Sequence, residues 1–281
     1  MKRCLTIQDY SCMGRCSLTV ALPILSAAGI ETIGLPTAVL SNHTAFAEWN
    51  YTDLSAELIK NVDMWKDYNN HFDCIYTGYL GNGQAEIIIE IFKKLKKQGT
   101  FIVVDPAYGD NGKLYAGFGK EHVDEMKGLL SYADVICPNI TEAASLLGIE
   151  YPGEKLDVKE CESIVKRLSQ LGPKKVVLTG VLSKEKDEVG CITYDQEKDE
   201  LKSYFTENLQ GRYHGAGDTF ASVMVSGLLH DVSLYDSVKI AHDFVHESMK
   251  ENLKNNVDGV LYGLVYEGHL HELLPTIEKY K

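Results

Sequence analysis

Two rhythms of apolar and polar positions alternate along the chain. Short runs of apolar and β-branched residues, at 3–8 (RCLTIQ), 31–40, 74–77, 100–105 (TFIVVD), 134–137 and 175–179 (KVVLT), predict buried strands. The segments between them repeat apolar residues every three or four positions and predict helices: 17–28, an exposed one at 52–66, 84–98, 121–131, one opening at Thr141, and 157–171. Gly29 supplies a stop for the first helix. Lys93, Lys94, Lys96 and Lys97 load the end of the third with positive charge, which complements the helix dipole on a solvated face. Later the order changes. Runs 189–194 and 201–206 predict an antiparallel pair, and helices follow at 217–229, at 233–253 and from Gly268.

Strands alternating with helices predict an α/β fold with a mostly parallel central sheet and helices on both faces. The spacing is regular over all 281 residues, without repeats or linkers, so the expectation is a single domain spanning 1–281. Sheets of this kind bind ligands outside the C-terminal ends of their strands, which directs attention to the residues just after each run.

Composition narrows the function. A net charge of −12 repels phosphate backbones and argues against a nucleic-acid partner. It does not forbid a nucleotide, because backbone N–H groups and a divalent metal can hold a small anion. No apolar run reaches the roughly 18–20 residues of a membrane span. Met1-Lys2-Arg3 leads straight into a strand-like run rather than a signal peptide. The seven cysteines are odd in number, and Cys12 and Cys16 have no second pair at zinc spacing, so reduced thiols in a cytoplasmic protein are expected.

Four stations after strands carry candidate chemistry. Gly215-Ala216-Gly217-Asp218 precedes an apolar helix; glycines there expose N–H groups, the helix N-terminus adds positive potential, and Asp218 stands where it could accept a proton. Plain helix capping explains the same residues. Asp105-Pro106 with Gly109-Asp110 suits a divalent metal or a turn. In Pro138-Asn139-Ile140-Thr141-Glu142, Glu142 could join that acidic group, or Thr141 could simply cap a helix. Ser41-Asn42-His43-Thr44 could hydrogen-bond a small polar ring, although a lone His43 more often has a structural role. Neither a GxxxxGK[ST] loop nor a GxGxxG after the first strand is present.

Taken in order, TIQDYSCMG, SNHTAF, TGY at 77–79, DPAYGDNGKLY at 105–115, PNITEA at 138–143 and GAGD resemble the ribokinase superfamily, and within it the pyridoxal (vitamin B6) kinases. The resemblance covers nearly the whole chain. It implies a ribokinase-like fold, ATP with Mg²⁺, in many members a monovalent cation such as K⁺, and a homodimer. Gly215, Ala216 and Gly217 would form an anion hole, and Asp218 would deprotonate the 5′-hydroxymethyl group of the vitamer. Asp105, Asp110 and Glu142 would lie about the phosphates and metal. Asn139 and Thr179 would contact the nucleotide, Tyr115 would sit in a flap over it, and residues 204–214 would border it. Asp9, Cys16, His43, Thr44 and Tyr79 would line the vitamin pocket.

Three positions depart from the family pattern. Ala216 replaces a common Thr, Gly14 is the one glycine of a usually glycine-rich loop, and Asp9 stands where many members carry Ser, so that it could pair with a ring nitrogen or an amine. A hydroxymethylpyrimidine kinase and a non-catalytic vitamer- or nucleotide-binding protein are the alternative readings.

Overall fold

The structure is a computed structural model that describes residues 1–68 and 71–281. The chain lays down β1 (Arg3–Ser11), α1 (Leu18–Ala27), β2 (Glu31–Leu40), β3 (Tyr51–Asp53), α2 (Ser55–Met64), β4 (Cys74–Thr77), α3 (Gln84–Leu95) and β5 (Phe101–Val104). A small hairpin, β6 (Gly109–Asp110) and β7 (Lys113–Leu114), precedes α4 (Lys120–Leu130), β8 (Val135–Ile136), α5 (Ile140–Leu147), β9 (Lys155–Leu156) and α6 (Val158–Ser169). Then come β10 (Lys175–Ser183), β11 (Glu188–Asp195), β12 (Glu200–Glu207), α7 (Ala216–Leu229), α8 (Leu234–Asn255) and α9 (Leu270–Glu278).

The sheet runs β12-β11-β10-β8-β5-β4-β1-β2-β3, with β9 beside β10. From β10 to β2 neighbours are parallel; β3 and the β11–β12 pair close the two ends antiparallel. The chain steps from β1 outward to β2, then returns to build β4, β5, β8 and β10 on the other side. Strand order therefore reverses between β1 and β4, which opens a crevice at their C-terminal ends. Pairing slips at two points on this edge. The β1–β2 register shifts between Gln8 and Tyr10, at Asp9, and the β10–β11 register shifts between Leu178 and Val181, at Thr179 and Gly180. Such irregularities re-aim a side chain at a ligand edge.

Alternation along the central strands feeds a core on each face. Ile102 and Val104 of β5 join Ile88, Phe92, Leu129 and Leu168 on the face covered by α2 to α6. Val103 points the other way, to Val20, Ile24, Met224, Val238 and Ile277 under α1, α7, α8 and α9. Each fully buried aliphatic or aromatic side chain is worth about 1.5–3 kcal/mol against exposure, so these two layers hold the strand ends in place. No helix among the described residues is long and apolar enough to cross a membrane. No two of the seven cysteines are bonded to one another; Cys12 is exposed and the other six are buried.

Most expected elements form near their expected bounds. The helix read from 52 begins at Ser55, because Tyr51–Asp53 pairs with β2 instead. The helix read to 98 ends at Leu95, so Lys96 and Lys97 lie beyond it, and Lys96 bridges to Asp134 at 3.1 Å. β10 continues past Thr179 through its register shift to Ser183. Thr141 is not the cap of α5. Asn139 is: its side chain accepts from Glu142 N–H, and the Glu142 carboxylate accepts from Asn139 N–H in return.

Gly227 sits inside α7, where helix propensity alone favours Ala by roughly 0.5–1 kcal/mol. A Cβ there would lie 2.6 Å from Ser237 Oγ and 3.2 Å from Ser237 Cα, at the contact of α7 with α8. Gly227→Ala is accordingly expected to destabilise the protein by about 1–3 kcal/mol in urea denaturation. A gain in stability would mean that α8 yields freely.

Candidate active site

The first turn of α7 stands over the strand edge. Gly215 caps it with φ 71°, and a Cβ there would collide with Arg15 carbonyl oxygen, so both the backbone conformation and the close approach of the Arg15–Cys16 segment require glycine. The opposite holds at Gly217, where a Cβ would meet no atom of the chain within 4 Å. The fold does not need glycine there; an approaching ligand would. Among the described residues the amides of Gly215, Gly217 and Asp218 find no acceptor, while Ala216 N–H makes only a long 3.3 Å bond to Tyr213 carbonyl oxygen. Free amides at a helix N-terminus form an anion site.

Asp218 projects from this turn and accepts a 2.9 Å hydrogen bond from Ser17 N–H. Burial raises its carboxyl to about 6, against the Ser17 bond, and the field of Asp9 adds to the rise. Ser17 itself holds φ 50°, ψ −131°, a strained backbone for a residue with a side chain. Its amide donates to Asp218. Asp9 is 4% exposed, accepts from Ser11 hydroxyl at 2.9 Å, and is raised chiefly by burial. Cys16 is buried beside both carboxylates; burial first, then Asp218 and Asp9, hold its thiol protonated.

On the other side of the crevice the ends of β5 and β8 bring Asp105 and Glu142 together. Both are buried and both are raised, Asp105 by burial first and then by the charges of Glu142 and Asp218. Glu142 is held by backbone amides: Oε1 accepts from Tyr108 at 2.9 Å and Gly109 at 3.4 Å, and Oε2 from Asn139 at 2.9 Å. Asn139 Nδ2 donates to Gly109 carbonyl oxygen at 2.7 Å, and Thr141 accepts from Gly112 N–H at 2.8 Å. These bonds clamp the β6–β7 hairpin onto α5. The hairpin carries Asp110, exposed and bonded to Asn111, and leads into Tyr115, whose phenol lies in the fields of Glu142, Asp110, Asp218 and Asp105. Thr179 meets Asn139 through an isolated bridge beside β10.

The other expected residues divide. Tyr79 follows β4 into the crevice and senses Tyr51 and Asp9. Thr44 is exposed. His43 is tied to backbone on both sides: Nε2 meets Leu261 carbonyl oxygen at 2.9 Å, Nδ1 accepts from Ala45 N–H at 3.3 Å, and its ring stacks on His214 at 4.5 Å. With both nitrogens engaged it braces the loop. Sequence reading missed an aromatic file in which Tyr79 packs on Phe118 (5.6 Å), Phe118 stacks on His122 (3.8 Å), and His122 meets Tyr108 edge-on (5.7 Å). It joins the crevice wall to the clamped hairpin. The spacing of Phe118 and His122, four apart across a helix start, is a weak signal. Ser17 offered none beyond its place before a helix.

Among the described residues no three His, Cys, Asp or Glu side chains converge to cage a metal. Asp9, Asp105, Glu142 and Asp218 nevertheless bring negative charge into the interior, and none of them forms an ion pair among the described residues. That charge suits a cation arriving with its own phosphate and water ligands.

Residues 26–260 match the phosphomethylpyrimidine kinase family. A Bacteroides thetaiotaomicron protein provisionally assigned as a phosphomethylpyrimidine kinase, and solved with pyridoxal, is 36% identical with a TM-score of 0.92; the match covers 97% of this chain and 95% of that one. Pyridoxal kinase from Lactobacillus plantarum is 31% identical with a TM-score of 0.87, over 100% of this chain and 99% of that one. Pyridoxal kinase of Dictyostelium discoideum is 26% identical over 268 residues, 87% of this chain and 85% of its own length.

The raised Asp218 carboxyl has a consequence for stability. Its folded value of about 6 lies above the ordinary 3.8, so between these values the folded chain holds a proton that the unfolded chain releases. This contribution stabilises at low pH and is lost as pH rises through about 6. Buried His122, His214 and His242, each lowered to about 4, act in the opposite sense, so the Asp218 share is read by subtraction. For the ligand-free protein, stability at about pH 5 minus stability at about pH 7.5 is expected to be smaller in Asp218→Asn than in wild type by about 1 kcal/mol. Equal differences in the two proteins would rule out a raised Asp218.

Proposed function

The chain belongs to the phosphomethylpyrimidine kinase family, and from that premise we propose that it transfers the γ-phosphoryl group of ATP to the 5′-hydroxymethyl group of a B6 vitamer: pyridoxal, pyridoxine or pyridoxamine. The observation that carries this reading is the pairing, at the α7 N-terminus, of unengaged amides with the fixed Asp218 carboxylate. The pyridoxal bound by the Bacteroides relative supports the substrate class.

Asp218 accepts the hydroxyl proton as the oxygen attacks the γ-phosphorus. The new P–O bond forms while the bond to the β–γ bridging oxygen breaks, and ADP leaves. Charge growing on the transferred group meets the free amides at Gly217 and Asp218, which are oriented before the reaction begins. Ser17 N–H keeps the Asp218 carboxylate aimed. Its raised value leaves it ionised at neutral pH yet a better proton acceptor than an ordinary aspartate. The nucleotide lies along Asp105, Asp110, Asn139, Glu142 and Thr179, with Tyr115 over it. Mg²⁺ bound with ATP would offset phosphate charge, held by Asp105 and water; a monovalent cation such as K⁺ fits the same excess of carboxylates. Asp9, Cys16 and Tyr79 border the vitamin.

The whole chain acts as one kinase domain in the cytoplasm, as a homodimer. Exposed Tyr10, Val39 and Tyr51 near the β3 edge support an apolar contact there. Phosphorylation of a hydroxymethylpyrimidine is the second reading, favoured by the family match itself.

ADP release with a panel of both heterocycles tests the assignment; no release with any B6 vitamer overturns it. Asp218→Ala is expected to lower turnover by about 10²–10⁴-fold while ATP still binds. Turnover within a few-fold of wild type would remove Asp218 as the base. Gly217→Val should melt within about 2 °C of wild type, since its side chain meets open space, yet lose turnover by closing the anion site. Normal activity in that variant would place the phosphoryl group elsewhere.

A further inference from the structure

The aromatic file has no part in proton abstraction or phosphoryl stabilisation, yet its two ends stand at different ligands. Tyr79 follows the C-terminal end of β4, at the crevice where strand order reverses. Tyr108, at the other end, is fully buried and fixed three ways. Its N–H donates to Glu142 at 2.9 Å, its hydroxyl lies 2.8 Å from Ser145 Oγ, and its carbonyl oxygen accepts from Tyr115 N–H at 2.9 Å. Phe118 and His122 stand between the two tyrosines, with ring centroids 3.8 Å apart and planes 3° from parallel. Phe118 N–H also donates to Tyr115 carbonyl oxygen at 3.1 Å, so the backbone of Tyr115 is bonded to two members of the file.

Packing holds the file together. His122 is 2% exposed, and neither of its ring nitrogens has a hydrogen-bond partner among the described residues. Burying an imidazole unbonded costs free energy, which the ring contacts with Phe118 and Tyr108 offset. Two polar links also join the loop after β4 to this segment: Asn82 Nδ2 donates to Gly117 carbonyl oxygen at 3.0 Å, and Gly83 N–H to Glu125 Oε2 at 2.9 Å. Both are exposed, where water competes for the same groups. Closely packed rings move from one arrangement to another together and do not deform singly. We propose that Phe118 and His122 are positioning residues that couple the two halves of the site. A vitamer seated against Tyr79 fixes Phe118, and through it the Tyr115 segment over the nucleotide, so that each ligand raises the affinity for the other. This inference rests on the kinase reading above.

Calorimetric titration with a non-hydrolysable ATP analogue and Mg²⁺, with and without saturating pyridoxal, tests it in wild type, Phe118→Ala and His122→Phe. Pyridoxal should tighten binding of the analogue to wild type by about fivefold or more, the lower end of ordinary coupling between sites. Phe118→Ala, which cuts the file, should bring that factor to within about twofold of one. His122→Phe keeps a ring in place while removing both nitrogens, and should keep the wild-type factor to within about twofold. If Phe118→Ala weakens each ligand alone but leaves the factor intact, the file is scaffold and the proposal is overturned. Loss of the factor in His122→Phe would assign the link to a bond of the imidazole and overturn it as well. So would a wild-type factor near one, which decides the matter even if the variants fail to fold. If wild type binds neither the analogue nor pyridoxal, the kinase reading itself falls, a result distinct from binding without coupling.

Discussion

Four carboxylates are carried into the crevice at the strand ends with no ion pair to a lysine or arginine among the described residues, and much of the local architecture answers that one electrostatic constraint. Glu142 is met by three backbone amides, Asp218 by one, and Asp9 by the Ser11 hydroxyl. Asp105 is raised by burial first and then by its acidic neighbours Glu142 and Asp218. Hydrogen bonds soften the desolvation of these groups without removing their charge. The remaining imbalance is what a metal–nucleotide complex and a cationic substrate would correct.

Each way of accommodating a carboxylate also fixes a piece of backbone. Two of the amides that meet Glu142, those of Tyr108 and Gly109, lie at the entry to β6, so the acid that would stand near the phosphates also anchors the hairpin beside them. Asn139 shares that work from the α5 cap. On the opposite side Asp9 occupies a register slip in β1, while Thr179 occupies another in β10. The two irregularities bracket the parallel strands, and α7 stands over the crevice with its amides unengaged. The aromatic file from Tyr79 to Tyr108 runs between the halves, so the crevice wall and the hairpin share one packed support.

The fold was legible because its parallel strands are buried on both faces and read as continuous apolar runs, as in FIVV of β5. Elements stabilised by pairing rather than by pattern were not: β3 and β9 are too short to show a period, and the β6–β7 hairpin exists because Glu142, far along the chain, holds its entry. The candidate site was legible where glycine and aspartate sit together, at GAGD and DPAYGD. It was not legible where bonding is non-local. Both nitrogens of His43 meet backbone groups, one of them more than 200 residues away, and nothing near it in sequence announces that. Asn139 looked like a nucleotide contact, and its amide is also a cap and a tether.

Ser17 ties the carboxylate at the start of α7 to the loop that follows β1. Its amide aims Asp218 from a backbone conformation few residues tolerate. A mutation that moves this loop would move that carboxylate with it, so drift along the loop is penalised even at positions that meet no ligand. Change in this scaffold should then concentrate in side chains that line the crevice, while the loop that holds Asp218 is inherited nearly intact.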